Sequence, residues 1–401
     1  MAEEVNSYFL DRYKSAKREE ADYQNQIKRH RMQVISIVLS AIAFVVLFIF
    51  IIIAIYKSKV FSEYRILKTI EYQEVTSAKY VGFNGNVLRY SRDGAFAFNM
   101  NNEMLWNQTY QMQNPMVDTC GDYIAIGDYR GTKIYILNSQ GLQGQIDTTI
   151  TVQKFCVSGN GNVAVVLDDE DVTWVKLYNK NGENVASDRT TMDKSGYPVA
   201  LDISDNGIML CISYLFVDSG KLRSSVAFYN FGAVGQNEIN NLVSAFNFED
   251  ETVSCVEFIN EETSFAIGNK SFSIYKGSQK PGEVYTTQLT EKIESVFYSN
   301  EYIGLVCKNT GDEGEQYKID VYNTSGSIVA SQKFDLDYTD ILLNKDLIII
   351  YNANECRIYN TSGSKKFEGF FKNSVITISP DKKKDRYLFV SGTKTDEIKF
   401  Q

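Results

Sequence analysis

Carboxylates are the side chains of this 401-residue chain best placed for chemistry. The densest run is Asp168, Asp169, Glu170 and Asp171, followed by Asp312, Glu313 and Glu315, with Asp218 lying between the two runs in the chain. Two acids at a suitable separation are enough for glycoside hydrolysis. Hard cations also prefer oxygen ligands, which makes Asp168, Asp169 and Asp171 the calcium candidates. Both runs fall between strands, where acids are ordinarily solvated loop residues. The single histidine, His30, stands in a basic cluster near the N-terminus. The remainder of the chain therefore has no Ser-His-Asp or Cys-His nucleophile system and no His-ligated zinc or iron. The expectation is a protein that is not an enzyme, with no catalytic residues and no cofactor beyond that calcium candidate.

The elements that position these acids start from a hydrophobic stretch, residues 34–56, which carries no charge. As a helix it is about 34 Å long, enough to cross a hydrocarbon core of about 30 Å. Lys28, Arg29, His30 and Arg31 precede it, whereas only Lys57 and Lys59 follow closely. Excess Lys and Arg marks the cytoplasmic side, so residues 1–33 are read as a cytoplasmic juxtamembrane segment and the rest as exported. A lead of 33 residues and a 23-residue apolar core, with no small-residue cleavage site, speak for a signal anchor in the cell membrane and against a cleaved signal peptide. Residues 1–33 hold seven Lys/Arg and six Asp/Glu, which leaves 34 − 44 = −10 on the remainder. An acidic domain repels phosphate, which excludes nucleic acid as a partner.

Beyond a linker at 57–63 the helical period disappears. Short apolar and aromatic strands alternate with Gly, Asn and Asp turns. One element recurs, an apolar residue, an aromatic, Asn, two variable residues and Gly: Leu177–Gly182, Val321–Gly326 and Ile358–Gly363, with looser copies from Ile136, Phe98 and Phe228. A second is Ser-x-Asn/Asp-Gly, at Ser158–Gly161, Ser204–Gly207 and Ser91–Gly94. Together they divide the domain into eight units near 77–115, 116–151, 152–197, 198–250, 251–290, 291–337, 338–373 and 374–401. Four strands recurring about every forty residues predict an all-β fold, a β-propeller. Eight blades is the reading and seven the alternative, because the boundaries within 198–250 are hard to place. The last unit holds three strands, and residues 64–74 supply a fourth that closes the ring, so the propeller spans 64–401. Six units carry one cysteine each (Cys120, Cys156, Cys211, Cys255, Cys307, Cys356), read as buried thiols at a repeated position.

The run NVLRYSRDGAFAFNMNNEMLW at 86–106 resembles quinoprotein-type repeats, and the repeats as a whole resemble WD40-like propellers. The chain lacks a docking tryptophan in most blades, having only Trp106 and Trp174, and it lacks the Gly-His and Trp-Asp signatures of WD40 repeats. The whole plan resembles a family of single-pass, membrane-anchored propellers of Gram-positive bacteria. That resemblance implies a fold and an address, and no activity.

Joins after the second strand of a blade read as longer and more acidic, at 168–171, 217–224 and 309–316. They share one face, which makes Asp168, Asp169, Glu170, Asp171, Asp218, Asp312, Glu313 and Glu315 the candidate interaction face. The short linker and a closing strand entering from the opposite, tight-turn face would aim these loops away from the membrane. The expected function is an extracytoplasmic, non-enzymatic scaffold that binds a protein partner at the cell envelope. The alternative is a sensor or a carbohydrate- or small-molecule-binding propeller, hydrolytic if carboxylates meet in its axial funnel.

Overall fold

The computed structural model describes residues 17–18, 23, 28–52, 60–101, 103–169, 172–190, 196–309, 311 and 314–401. The chain forms two compact units, Met1–Lys59 and Val60–Gln401. In the first, one helix, Lys28–Ile52, is long and apolar enough to cross a membrane. It begins at the basic cluster, six residues before the uncharged run. The end of the expected span at 53–56, most of 1–33 and linker residues 57–59 lie outside the described residues.

The second unit consists of eight four-stranded antiparallel sheets. Blades 1 to 7 occupy residues 79–109, 115–147, 151–190, 197–249, 253–288, 293–334 and 340–370. Blade 8 combines three C-terminal strands, Thr377–Pro380, Tyr387–Val390 and Lys394–Phe400, with Tyr64–Glu71 as its outer strand. Tyr64 stands opposite Phe400 and Glu71 opposite Lys394. The Tyr64 ring packs on Phe389 and Phe400 at 5.4 and 6.4 Å. Joining the two ends of the domain in one sheet leaves no unpaired seam in the ring.

The repeated residues have local physical roles. In the Asn-x-x-Gly element the Asn side chain accepts backbone N–H groups across the turn: Asn179 Oδ1 from Asn181 (3.0 Å) and Glu183 (3.1 Å), Asn323 Oδ1 from Ser325 (2.9 Å) and Ser327 (3.0 Å). Gly182 and Gly326 then take φ of 84° and 82°, which a side chain would resist. The tyrosine before the Asn marks a register shift between the third and fourth strands, as at Tyr178, Tyr229, Tyr322 and Tyr359. In the Ser-x-Asn-Gly turns the Ser hydroxyl accepts the N–H of Asn162 or Met209, both at 2.9 Å.

One copy of a repeated turn sits apart from the others, and two expectations about detail are corrected. Ser91–Gly94 joins the second and third strands of blade 1, whereas the Ser158 and Ser204 turns join first and second strands. Residues 217–224 are no loop. Met209–Asp218 and Lys221–Asn230 pair along their whole length and turn through Ser219 and Gly220, both at positive φ. This overlong hairpin is also why blade 4 was hard to delimit. The cysteines are all free, but they occupy first strands (Cys120, Cys156, Cys255), second strands (Cys211, Cys307) and a third strand (Cys356), so no single position repeats.

Neighbouring blades meet along apolar seams, and in blades 1, 5 and 7 an aromatic of the outer strand enters the seam. Between blades 1 and 2, Trp106 packs with Ala95 and Ala97 on Ile124, Ile126 and Leu137, and its Nε1–H donates to the Asn138 carbonyl at 2.6 Å. Tyr285 meets Tyr322 between blades 5 and 6, and Phe367 meets Phe400 between blades 7 and 8. The seam between blades 8 and 1 closes more tightly at its inner end. A Cβ on Gly82 would stand 2.1 Å from Ser379 Oγ.

Candidate functional site

The first strand of each blade lines the propeller axis, and in four consecutive blades these strands enclose a cavity of about 340 Å³. Three acids stand in it, each within the last three residues of its strand: Asp118 in Pro115–Cys120, Asp202 in Tyr197–Ile203 and Glu257 in Val253–Phe258. Their strands are otherwise largely apolar, so the acids are carried inward by residues that build the core. Met116, Lys154, Ser254 and Cys255 complete the walls. A second cavity of about 750 Å³ shares Met116 with the first and extends beside Lys79, Tyr90, Arg92 and Tyr129.

All three acids join neighbouring blades. Asp118 Oδ2 accepts the Val157 N–H of blade 3 at 2.7 Å, and Asp202 Oδ2 accepts the Phe258 N–H of blade 5 at 2.6 Å. Glu257 accepts the Tyr298 hydroxyl of blade 6 at 2.9 Å and lines the same cavity as Asp202. Like charges brought near each other disfavour joint ionisation. All three acids keep some contact with the cavity while protein surrounds them on most sides. Burial pushes Asp118 above the usual carboxylate range. Burial and then the neighbouring Glu257 charge push Asp202 well above it. Burial raises Glu257 to about 7 against the opposing hydrogen bond from Tyr298. Burial, with Glu257 next, raises the Cys255 thiol to about 12, and Cys156 and Cys211 also move up, so these thiols stay protonated and unreactive. Chemically, the cavity holds acids of raised proton affinity that can donate as well as accept.

The acids picked out in the sequence lie elsewhere. Asp168 and Asp169 end the second strand of blade 3, Val163–Asp169, and Gln153 Nε2 donates to Asp168 Oδ2 at 3.4 Å. Asp218 ends the overlong strand of blade 4 and pairs with Arg223 at 2.9 Å. Glu315 precedes the third strand of blade 6, and its carbonyl accepts from Asn309 Nδ2 at 2.8 Å. Glu170, Asp171, Asp312 and Glu313 lie outside the described residues. These joins share a face of the ring but stand on blades 3, 4 and 6. Among the described residues no cluster of three or more His, Cys, Asp or Glu is arranged to hold a metal ion. The axial acids were missed because each is alone in its stretch of sequence. The available signal was an acid inside an apolar first strand, just before the turn, in Met-Val-Asp-Thr-Cys, Ala-Leu-Asp-Ile and Cys-Val-Glu-Phe.

Eight radial sheets, a closing strand from the opposite end of the domain and an axial cavity define a closed eight-bladed β-propeller. The chain belongs to the family of unknown function DUF5711, whose model matches residues 57–400. Among solved structures it is similar in fold to Sqt1 from Chaetomium thermophilum, at 12% identity and a TM-score of 0.51, over 84% of this chain and 98% of that one. It is also similar to BamB from Moraxella catarrhalis, at 14% identity and a TM-score of 0.49, over 84% and 100%. No curated protein matches it in sequence.

Proposed function

We propose that this chain is a single-pass membrane protein, N-terminus cytoplasmic, whose extracytoplasmic propeller is a non-enzymatic module for binding a protein partner. One observation carries this reading. The three axial acids spend acceptor atoms on holding adjacent blades together, whereas the Met209–Asn230 hairpin, tied to blade 5 through Ser213, Ser224 and Asn230, carries its tip at 217–222 beyond those ties. Its tip exposes Val217 and Leu222 opposite each other, 57% and 49% accessible, beside the Asp218–Arg223 pair. Apolar side chains rimmed by charge on a protruding element are what an interface core requires. A photoreactive residue at Leu222 in the full-length protein in native membranes should give one discrete protein adduct, and one at Asn181, on the tight-turn face, none. Absence of any adduct at Leu222 would overturn the reading. Protease added to intact cells should cut the propeller and spare residues 1–33; the reverse would invert the topology.

The axial cavity favours a second reading, a sensor or a carbohydrate-binding propeller with hydrolytic capacity. Asp118, Asp202 and Glu257 give neighbouring acids with unequal proton affinity, the condition for acid and base roles at one site. Calorimetric titration of the full chain with neutral oligosaccharides, and separately with calcium, tests it. Saturable binding lost in Glu257→Gln would favour this reading over a pure scaffold.

A further inference from the structure

The cavity of about 750 Å³ lies between blades 1 and 2, at the face where their first strands begin. Lys79 opens the first strand of blade 1, directly opposite Tyr90, which closes the second. Arg92 stands in the turn that follows, and Tyr129 just past the second strand of blade 2, Tyr123–Asp128. All four line the cavity, and much of the remaining wall is hydroxyl or amide side chain, from Ser77 to Asn114. Its charge sets it apart in an acidic domain. Arg223, Arg357 and Arg386 sit in ion pairs, whereas among the described residues no carboxylate pairs with Lys79 or Arg92. Asp93 is the one carboxylate among the described lining residues. Asp128, next to Tyr129 in the chain, spends both oxygens on the N–H groups of Gln113 and Asn114, at 2.9 and 2.7 Å. Arg130 adds positive charge nearby, its guanidinium 5.4 Å from the Tyr129 ring. Tyr90 is buried, yet its hydroxyl has no partner among the described residues, which leaves a donor for what enters the cavity. The backbone beneath these groups is fixed. The Met112 N–H donates to the Arg92 carbonyl at 2.8 Å and the Tyr129 N–H to the Asn114 carbonyl at 3.1 Å, so the wall is organised before a ligand arrives.

We infer that this cavity binds an acidic saccharide, its carboxylate met by Lys79 and Arg92 and a sugar ring set against Tyr129. Each part of the ligand answers to one feature of the wall. The two cations call for an anion that accepts charge-assisted hydrogen bonds. The accessible Tyr129 ring offers a flat apolar surface to the C–H face of a pyranose, and the hydroxyl and amide side chains suit a molecule rich in hydroxyls. A small anion such as citrate would use the cations and leave the rest of the wall idle. The site stands apart from both functional readings above. It shares Met116 with the axial cavity but none of the axial acids, and it does not involve the Met209–Asn230 hairpin.

Calorimetric titration of the full chain in phosphatidylcholine nanodiscs at low salt tests it. The probes are digalacturonate, its neutral dimethyl ester, a hyaluronan tetrasaccharide and citrate. At least one of the two acidic saccharides should bind saturably, and digalacturonate more tightly than its ester. Lys79→Gln and Arg92→Gln should each weaken the acidic saccharides about fivefold, the size of one partly exposed charge pair, and leave the ester unchanged. Neither side chain makes an ion pair among the described residues, so both variants should keep the wild-type circular dichroism spectrum. Tyr129→Ala should weaken the saccharides and spare citrate. Glu257→Gln should bind them as wild type does. No saturable binding of either acidic saccharide, or binding indifferent to both charge variants, would overturn the inference. Citrate bound as tightly as the saccharides would overturn the assignment to a sugar, and loss of binding in Glu257→Gln would move the ligand to the axial cavity and overturn this site.

Discussion

The seams between blades 1 and 2 and between blades 3 and 4 are built from the same strand positions and end differently. In the first, Trp106 fills the outer half, and its indole N–H finds the Asn138 carbonyl. In the second, the outer half holds a crevice of about 320 Å³ beside Ala186, lined also by Leu210, Ile212 and Asn240, and the blades are tied by the Lys154 ammonium on the Val199 carbonyl midway along their inner strands and by Asn160 Nδ2 on the Asn206 carbonyl at 2.7 Å at the turns. The same architecture thus tolerates both a dry, filled joint and an open joint held by polar ties. Ring closure explains why. Each blade is clamped by two neighbours, so one incompletely packed seam does not release it. Trp106→Ala should turn the first seam into a copy of the second, with the largest cost, about 3–5 kcal/mol for the lost aromatic packing. Urea unfolding of the full chain measures it. A cost below about 1 kcal/mol would mean that the indole is not what holds this seam.

A third seam sharpens the contrast, because blades 8 and 1 approach too closely at the axis to admit a side chain. Gly82→Ala would place a Cβ 2.1 Å from Ser379 Oγ, and overpacking of this kind costs about 1–3 kcal/mol. Because this seam closes the ring, the loss should appear as a lower midpoint with the cooperative slope unchanged. Ser379→Gly in the same chain should restore much of it. Failure of that rescue would place the strain elsewhere.

These contrasts also show what the sequence exposes and what it hides. Blade number and strand order are legible because Asn-x-x-Gly and Ser-x-Asn-Gly have local reasons to recur, namely side-chain caps on specific turns. Where a blade departs locally, reading fails: the hairpin at Met209–Asn230 has strands of ten residues each, and its apolar-charged tip looks like an acidic loop. The axial acids were hidden for a different reason. Asp118, Asp202 and Glu257 are each single residues separated by dozens of positions, and only ring closure brings them to one cavity. The open seam was equally hidden, because Ala186 shares the register position of Trp106 with Gly144, Ser244 and Ala330, so a small residue there marks nothing by itself.

The inner ring offers the next largest effect and a test that is independent of the outer seams. Glu257 binds its proton more tightly in the folded chain, to about 7, than in the unfolded one, as does Asp202. The native state therefore holds more protons, and stability falls as pH rises. The contribution is intact below about pH 4 and is lost progressively up to about pH 7. Glu257→Gln keeps an acceptor for Tyr298 and removes the ionisation. Its unfolding free energy should match wild type at pH 4 and exceed it by about 1–2 kcal/mol at pH 8, a figure reduced for the water that reaches the cavity. Equal pH profiles for the two proteins would show that the acids titrate normally.

The smallest expected effect bears most directly on the open seam. Asn160→Ala removes the donor to Asn206 of blade 4, and within its own turn the acceptor for Ser158 Oγ at 2.6 Å and the Asn162 N–H at 3.2 Å. Losing this set costs about 1 kcal/mol by the ordinary worth of such bonds. Stability alone cannot say whether the loss is felt in the turn or across the seam. Asn179→Ala provides the reference, since its side chain bonds only within its own turn, to Asn181 and Glu183. If Asn160 ties the open seam, its replacement should speed hydrogen exchange at Leu210 and Ile212, on the far wall of the crevice, while the Asn179 variant leaves those amides at the wild-type rate. Equal exchange in both variants would mean that the apolar packing beneath the crevice holds blades 3 and 4 together without help from the turn.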